Sequence, residues 1–484
     1  MKIIHVSSEV VPFASSGGLG DVCAALPKAL VQQGIETIRI MPLYGLIDRD
    51  RYNLEQCDVE LHIPLGHVWF YGTVWKQEFD GVITYFIHNE EFFSRSGVYG
   101  ADGYGYADNF ERFLFFQKAV VRLIDLWDMR PDVVHCHDWQ AGLIPMLLHY
   151  GIDGHFRNGR EKTLMTIHNL AHQGWAPAEK FYMTLLPGHC YTMHTLEFYG
   201  EINTLKGGLV SSTAINAVSP TYSEEIKTAT FGCKLDGVLR HRQSVLHGIL
   251  NGIDYSRWNP KTDPYIAANY SIDDLSGKAR CKHALQEAAG LPFSPKIPLL
   301  GVITRLVPQK GIDILAGAIE QIIGSGAQVV ILGTGDGHYE EACLEWSRKW
   351  PDQVCSWIEF SSEKAHQIEA GADMFLMPSE FEPCGQNQLY SMRYGTVPVV
   401  HGVGGLEDSV IDFSEKTGTG FKFYGHTASS FFKCLERAFD AYADARRWKA
   451  LMKRAMKQDF SMIHMARDYI ALYEKIITGN ETIH

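Results

Sequence analysis

A chain of 484 residues is too long for one ordinary hydrophobic core, so two or more domains are expected. Hydrophobic residues make up 46% and charged residues 21%, which is the composition of a globular protein and excludes a disordered one. The formal net charge of -12 argues against nucleic acid as a partner, since that needs concentrated positive charge, but leaves room for a small anion held by local donors.

The first apolar run, Met1–Val6, is too short for a signal peptide, and Glu9 interrupts the next stretch. No segment has the length needed to cross a bilayer, so a cytoplasmic protein without membrane contact is expected. The ten cysteines form no Cys-x-x-Cys pair and are expected to be reduced and mostly buried.

In chain order, Lys2–Ser7 reads as a buried strand, leading into a loop with Gly17, Gly18 and Gly20. A helix over about Asp21–Gln33 is stopped by Gly34 and kinked or tightened by Pro27. Glu36–Met41, Asp132–Cys136 and Thr163–Ile167 are further strands. His135-Cys136-His137 is the one cluster with a hint of metal, but on a strand the two histidines share a face that the cysteine leaves. With no further ligands evident, no metal site is expected.

A second series begins near Pro298, with strands Leu299–Thr304, Gln328–Leu332, Val354–Phe360, Asp373–Met377 and Val397–Val400. Helices fall at Ile312–Ile323, near Lys364–Ala370 and at Gln386–Tyr394. Two strand–loop–helix series predict an α/β protein of two Rossmann-like lobes, with a hinge near Leu250–Asp254 and a ligand in the interdomain cleft.

Gly17-Gly18 lets backbone amides approach an anion at a helix start, or serves as a packing turn; its spacing is not the dinucleotide fingerprint. The glycine run Gly333–Gly337 is equally incomplete, so an NAD oxidoreductase is poorly supported. Arg305 and Lys310, five residues apart beyond a strand end, suit a diphosphate and its leaving charge. Glu382 offers a carboxylate to sugar hydroxyls, and the Pro383-Cys384-Gly385 turn offers amides to phosphate, whereas Glu380 reads as a solvated neighbour. Gly402-Val403-Gly404-Gly405 is a further turn one strand later. Asp138-Trp139 and His168-Asn169 end two strands of the first lobe and together suit carbohydrate.

These motifs carry a family resemblance. Ser8-Glu9 with Gly17–Asp21, Pro131–Trp139, Thr166–Leu170 through Gln173-Gly174, Ala217–Tyr222, Asn251–Asp254, Thr304–Leu306 with Gln309–Gly311, Phe381–Gly385 and Gly404–Leu406 resemble bacterial glycogen synthases and plant starch synthases over essentially the whole chain. The resemblance implies the GT-B architecture. An N-terminal lobe of about residues 1–250 takes the acceptor, a C-terminal lobe of about 251–458 takes the nucleotide-sugar, and about 459–484 forms a helix returning to the first lobe. It implies transfer of glucose from ADP-glucose, with UDP-glucose as the other candidate donor, to the non-reducing end of an α-1,4-glucan, with retention and no cofactor or metal.

By the same resemblance Arg305 and Lys310 grip the diphosphate, Glu382 holds the donor hydroxyls, and His168 positions the donor glucose. Gly17, Gly18, Asn251, Phe360, Cys384 and Gly385 belong to the donor side, with Phe360 stacking on adenine. Glu9, Tyr99, Asp138 and Asn169 shape the acceptor side. No carboxylate pair with the spacing of a retaining hydrolase is evident, so a front-face transfer is expected.

Two stretches depart from the family, and a third position departs only from the wider retaining-transferase pattern, since the bacterial synthases also commonly have tyrosine there. Ser15 stands where the family usually has lysine, Gln386-Asn387-Gln388 replaces Leu-Thr-Gln, and Tyr390 stands where the wider E-x7-E pattern puts a second glutamate. The first two motivate a competing expectation, a catalytically weak glucan-binding or priming partner.

Overall fold

The computed structural model describes residues 1–479 apart from 102, 156, 158 and 160. The last residues of the expected terminal segment, 480–484, lie outside the described residues. The chain divides into two units, one of Met1–Asn251 joined by the segment from Met462 onward, the other Gly252–Ser461.

In the first unit a nine-stranded sheet forms among the described residues, in the order Leu246–Gly248, Ala214–Ala217, Lys162–Ile167, Val133–His137, Lys2–Val6, Glu36–Pro42, Val82–His88, Val68–Phe79, Glu55–Leu65. The strands through Val82–His88 run parallel, and the last two are antiparallel. Ile3, Ile4, Val6, Val133, Val134 and Cys136 are fully buried, because helices cover both faces of a parallel sheet. The helix Gly18–Gln32 starts three residues earlier than the expected one and runs on through Pro27.

The antiparallel edge is the part of this sheet that the sequence pattern leaves unassigned. Its strands alternate exposed and buried residues, and Asp80 (φ +56°) with Gly81 (φ +75°) makes the two-residue turn between Phe79 and Val82. Asp-Gly is the hairpin signature for a turn with both central residues at positive φ.

The helix Met462–Thr478 belongs to this unit. Met465, Ala466, Tyr469 and Tyr473 pack with Val22, Leu26 and Leu30 of Gly18–Gln32. Its two tyrosine hydroxyls reach the sheet, Tyr469 at Asn216 Nδ2 (2.9 Å) and Tyr473 at His135 Nδ1 (2.8 Å).

The second unit holds a six-stranded parallel sheet in the order Val354–Trp357, Gln328–Leu332, Leu299–Ile303, Met374–Met377, Val397–His401, Phe421–Phe423. Counted along the chain this is 3-2-1-4-5-6, the Rossmann order, which reverses between Leu299–Ile303 and Met374–Met377. Helices Ile312–Gly324 and Ala428–Ala443 bury Ile319, Ile322, Phe431 and Leu435 on one face. All ten cysteines are free, and seven are buried: Cys23, Cys136, Cys190, Cys281, Cys343, Cys384 and Cys434. No described helix is long and apolar enough to cross a membrane.

Candidate active site

The first unit's sheet reverses between Lys2–Val6 and Val133–His137. The loop after Lys2–Val6 carries Glu9, whose carboxylate takes the backbone N–H of Ser16 and Gly17, the Ser16 hydroxyl (2.8 Å) and the Tyr99 hydroxyl (2.5 Å). Burial pushes the Glu9 carboxyl up, and these donors oppose the shift. Glu9 and Tyr99 thus brace the glycine loop, and Tyr99 also bonds Ser8 Oγ at 2.7 Å. Gly17 and Gly18 are exposed at the helix start, and a Cβ on Gly17 would meet nothing within 4 Å. Packing therefore does not demand glycine at 17, and its backbone N–H is held by the Glu9 carboxylate. Ser15 is exposed, its Oγ donating to Gly17 O at 3.0 Å.

The strand Val133–His137 delivers Asp138 at φ +56°, ψ -174°, a region that residues with a Cβ rarely occupy. This twist aims the carboxylate at the next strand end, where it accepts the N–H of His168 (2.7 Å) and of Asn169. Burial raises the Asp138 pKa to about 7, with the Glu9 charge adding to the effect. His168 keeps part of its surface open, yet desolvation lowers its pKa to about 3, so the ring is neutral. Asn169 Oδ1 is engaged by Ala171 N–H at 3.0 Å. Trp139 packs edge-on against Phe113 (centroids 5.0 Å) and is a wall of the fold here. Asn251 is buried, its side-chain oxygen without a hydrogen-bond partner among the described residues.

His135 and His137 do share one face, and His5 joins them from the neighbouring strand, with ligand atoms within 4.8 Å of one another. Hydrogen bonds account for this cluster: His135 bonds Tyr473 and Thr166, and His137 bonds His5 and His168. Sequence reasoning weighs this pair for metal only and misses His5. Period-two histidines beside a histidine on a paired strand are the available signal.

In the second unit the two loops at the reversal are laced together. Glu380 N–H donates to Gln309 O at 2.9 Å, and Gln309 Nε2 donates to Phe381 O at 3.3 Å. Lys310 Nζ reaches Glu382 Oε2 at 2.5 Å, and Ser379 Oγ donates to the same oxygen at 3.2 Å. Arg305 is exposed, leaning on Gln309 Oε1 at 3.5 Å. Sequence reasoning does not single out Ser379, although it stands one turn before Glu382.

Cys384 is buried, and Gly385 adopts φ +67° ahead of the helix Asn387–Tyr394. Gly405 presses on this turn so closely that a Cβ would fall 2.2 Å from Cys384 O, so only glycine fits. Asn387 Nδ2 donates to Ile303 O at 2.7 Å, tying helix to strand end. Tyr390, where the wider pattern has glutamate, is buried and stacked on Trp258 (centroids 3.9 Å, 14°). Phe360 is 95% exposed.

The starch synthase catalytic domain family matches residues 2–241, and the glycosyl transferases group 1 family matches residues 286–453. A sucrose-phosphate synthase from Thermosynechococcus elongatus shares the fold at TM-score 0.62 and 16% identity, over 99% of this chain and 100% of that one. The two Rossmann-like units give the GT-B architecture, and the family matches make the chain a glycosyltransferase.

The similarity is much closer to two enzymes and one structure. The glycogen synthase of Anaeromyxobacter dehalogenans is 43% identical over 99% of this chain and 100% of its own length. That of Thermotoga maritima is 42% identical over 99% of both. The catalytic domain of starch synthase IV from Arabidopsis thaliana, bound to ADP and acarbose, superposes at TM-score 0.91 with 33% identity and 99% coverage of each chain. The chain belongs to the glycogen and starch synthase family.

Proposed function

We propose that this glucosyltransferase uses ADP-glucose as donor and extends an α-1,4-glucan at its non-reducing end with retention. The observation that carries the reading is the cation–carboxylate group Arg305, Lys310 and Glu382, set on two laced loops at a strand-order reversal. Arg305 and Lys310 take the diphosphate, and Lys310 neutralises the leaving phosphate. Glu382 takes donor hydroxyls, and the amides of Cys384 and Gly385 take the distal phosphate. Phe360 is a free aromatic face for adenine, supported by the ADP bound to the plant starch synthase. His168 and Asp138 serve the transferred sugar and the acceptor, with Tyr99, Asn169 and Glu9 behind them.

Neither carboxylate of the first unit is poised as a nucleophile. Glu9 is consumed by four donors and Asp138 by two amides. A front-face transfer fits: the bond from glucose C1 to the phosphate oxygen breaks, and the acceptor hydroxyl attacks from the same side. The departing phosphate takes the hydroxyl proton. Nucleoside diphosphate release in the presence of glycogen, measured with ADP-glucose and with UDP-glucose, tests this. Faster release from ADP-glucose is expected; no turnover with either donor would leave only a glucan binder. A trapped glucosyl–carboxylate intermediate would overturn the front-face route.

A further inference from the structure

His168 is the outer member of a file of three rings. Its Nε2 lies 3.0 Å from His137 Nδ1, and His137 Nε2 lies 3.2 Å from His5 Nδ1. His5 and His137 are buried in the sheet. A neutral imidazole has one N–H and one lone pair, so the file admits two proton orders. In one, every Nδ1–H donates outward: His5 to His137, His137 to His168, and His168 Nδ1–H to whatever it faces. In the other, every Nε2–H donates inward and His168 Nδ1 is a bare acceptor.

The orders differ at the buried end. His5 Nε2 has no hydrogen-bond partner among the described residues. The inward order strands an N–H donor there, whereas the outward order leaves only a lone pair, the less costly defect in a core. Charge agrees. Arg39, paired with His5 on the adjacent strand and buried, sets a cation beside that ring and favours the lone pair. Other neighbours do not oppose this. His135 has both nitrogens engaged, and Cys23, within 4.8 Å of His137 and His168, is kept a neutral thiol by burial.

We infer that His5 and His137 are positioning residues that hold His168 as its Nδ1–H tautomer, so that His168 offers a sugar oxygen a hydrogen-bond donor. His168 Nδ1 takes no protein partner among the described residues, as such a role requires. The step to the sugar rests on the proposed role of His168; the proton order does not.

Long-range 1H–15N correlation of imidazole-labelled protein at neutral pH reads the tautomers directly, with His5, His137 and His168 assigned by single substitution. Protonated Nδ1 and bare Nε2 on His137 and His168 are expected; protonated Nε2 on His168 would overturn the inference. His137→Leu should release the His168 tautomer preference and lower kcat about 10- to 100-fold, the scale of outer-shell orienting partners, with KM for ADP-glucose changed far less. His137→Asn, which returns an amide donor near the Nδ1 position, should restore the tautomer and much of the lost turnover. If His137→Leu does not fold, the wild-type spectrum still decides. Nδ1–H on His168 together with indifference of turnover to His168→Ala would keep the file and sink the role of His168.

Discussion

In the first unit the groups around the strand-order reversal are desolvated. His5 and His168 are held at pKa about 3, His135 and His137 well below the ordinary range, Asp138 up at about 7, and Glu9 above its usual value, with burial the largest cause each time. In the second unit the corresponding groups carry formal charge: an exposed cation, Arg305, and an ion pair between half-buried Lys310 and buried Glu382. The contrast matches the proposed ligand chemistry. A neutral sugar is held by directional hydrogen bonds, which buried neutral imidazoles supply without the penalty of a desolvated charge. A departing diphosphate needs formal positive charge.

The largest effect tests that division from the charged side. Lys310→Ala should lower kcat about 10²- to 10³-fold, the cost of removing one preorganised group from developing charge. Glycogen binding, read by cosedimentation, should stay nearly intact. Equal loss of both would break the assignment of leaving group to one unit and glucan to the other.

The next effect tests the neutral side. In the unfolded chain the four histidines take up protons near pH 6.5. Their native values lie below that, so each contributes stability that is complete above about pH 6.5 and lost as pH falls, for His5 and His168 down to about 3. Asp138 runs the opposite way: its proton is retained to about pH 7 in the native state, so its contribution is complete below about 4 and lost as pH rises through 7. Glu9 and Glu369, also raised by burial, side with Asp138, and the four imidazoles outweigh these three carboxyls. Thermal denaturation should therefore give a markedly lower Tm near pH 5 than near pH 7, and His5→Gln should flatten the slope. An unchanged Tm would show that the rings are protonated in the native state.

Legibility in the sequence divides along the same line. The parallel strands read through because both their faces are buried, giving short continuous apolar runs such as Gln328–Leu332, whose observed bounds equal the expected ones. The antiparallel edge Glu55–His88 does not, since its alternation is diluted by exposed Trp69 and Tyr71 and only Asp80-Gly81 announces the hairpin. The charged site residues are visible because Arg305, Lys310 and Glu382 come after strand ends in plain spacing. The neutral network is not. His5 and His137 are 132 positions apart, and only strand pairing brings them together.

Ser15→Lys would carry a cation into the neutral unit. Ser15 is exposed, so a lysine there has room, and one charge-assisted phosphate contact is worth about 1.5–3 kcal/mol. KM for ADP-glucose should fall by about tenfold or more, with kcat little changed. An unmoved KM would show that this loop does not approach the diphosphate.

The smallest effect separates a structural departure from a functional one. Asn387 opens the helix behind the Cys384–Gly385 turn, where a side-chain amide could in principle serve phosphate. In this chain, however, its Nδ2 donates to Ile303 O at 2.7 Å, the last carbonyl of the strand that leads into Arg305. Asn387→Ala removes one neutral side-chain-to-backbone bond and should cost about 0.5–1.5 kcal/mol of stability, seen as a Tm lower by a few degrees. KM for ADP-glucose should hardly move, because the amide is committed to the strand and not to the donor. A raised KM at unchanged Tm would reverse that assignment. It would also mean that the second unit, like the first, uses neutral side chains on its ligand, and the charge contrast between the two would narrow to Arg305, Lys310 and Glu382 alone.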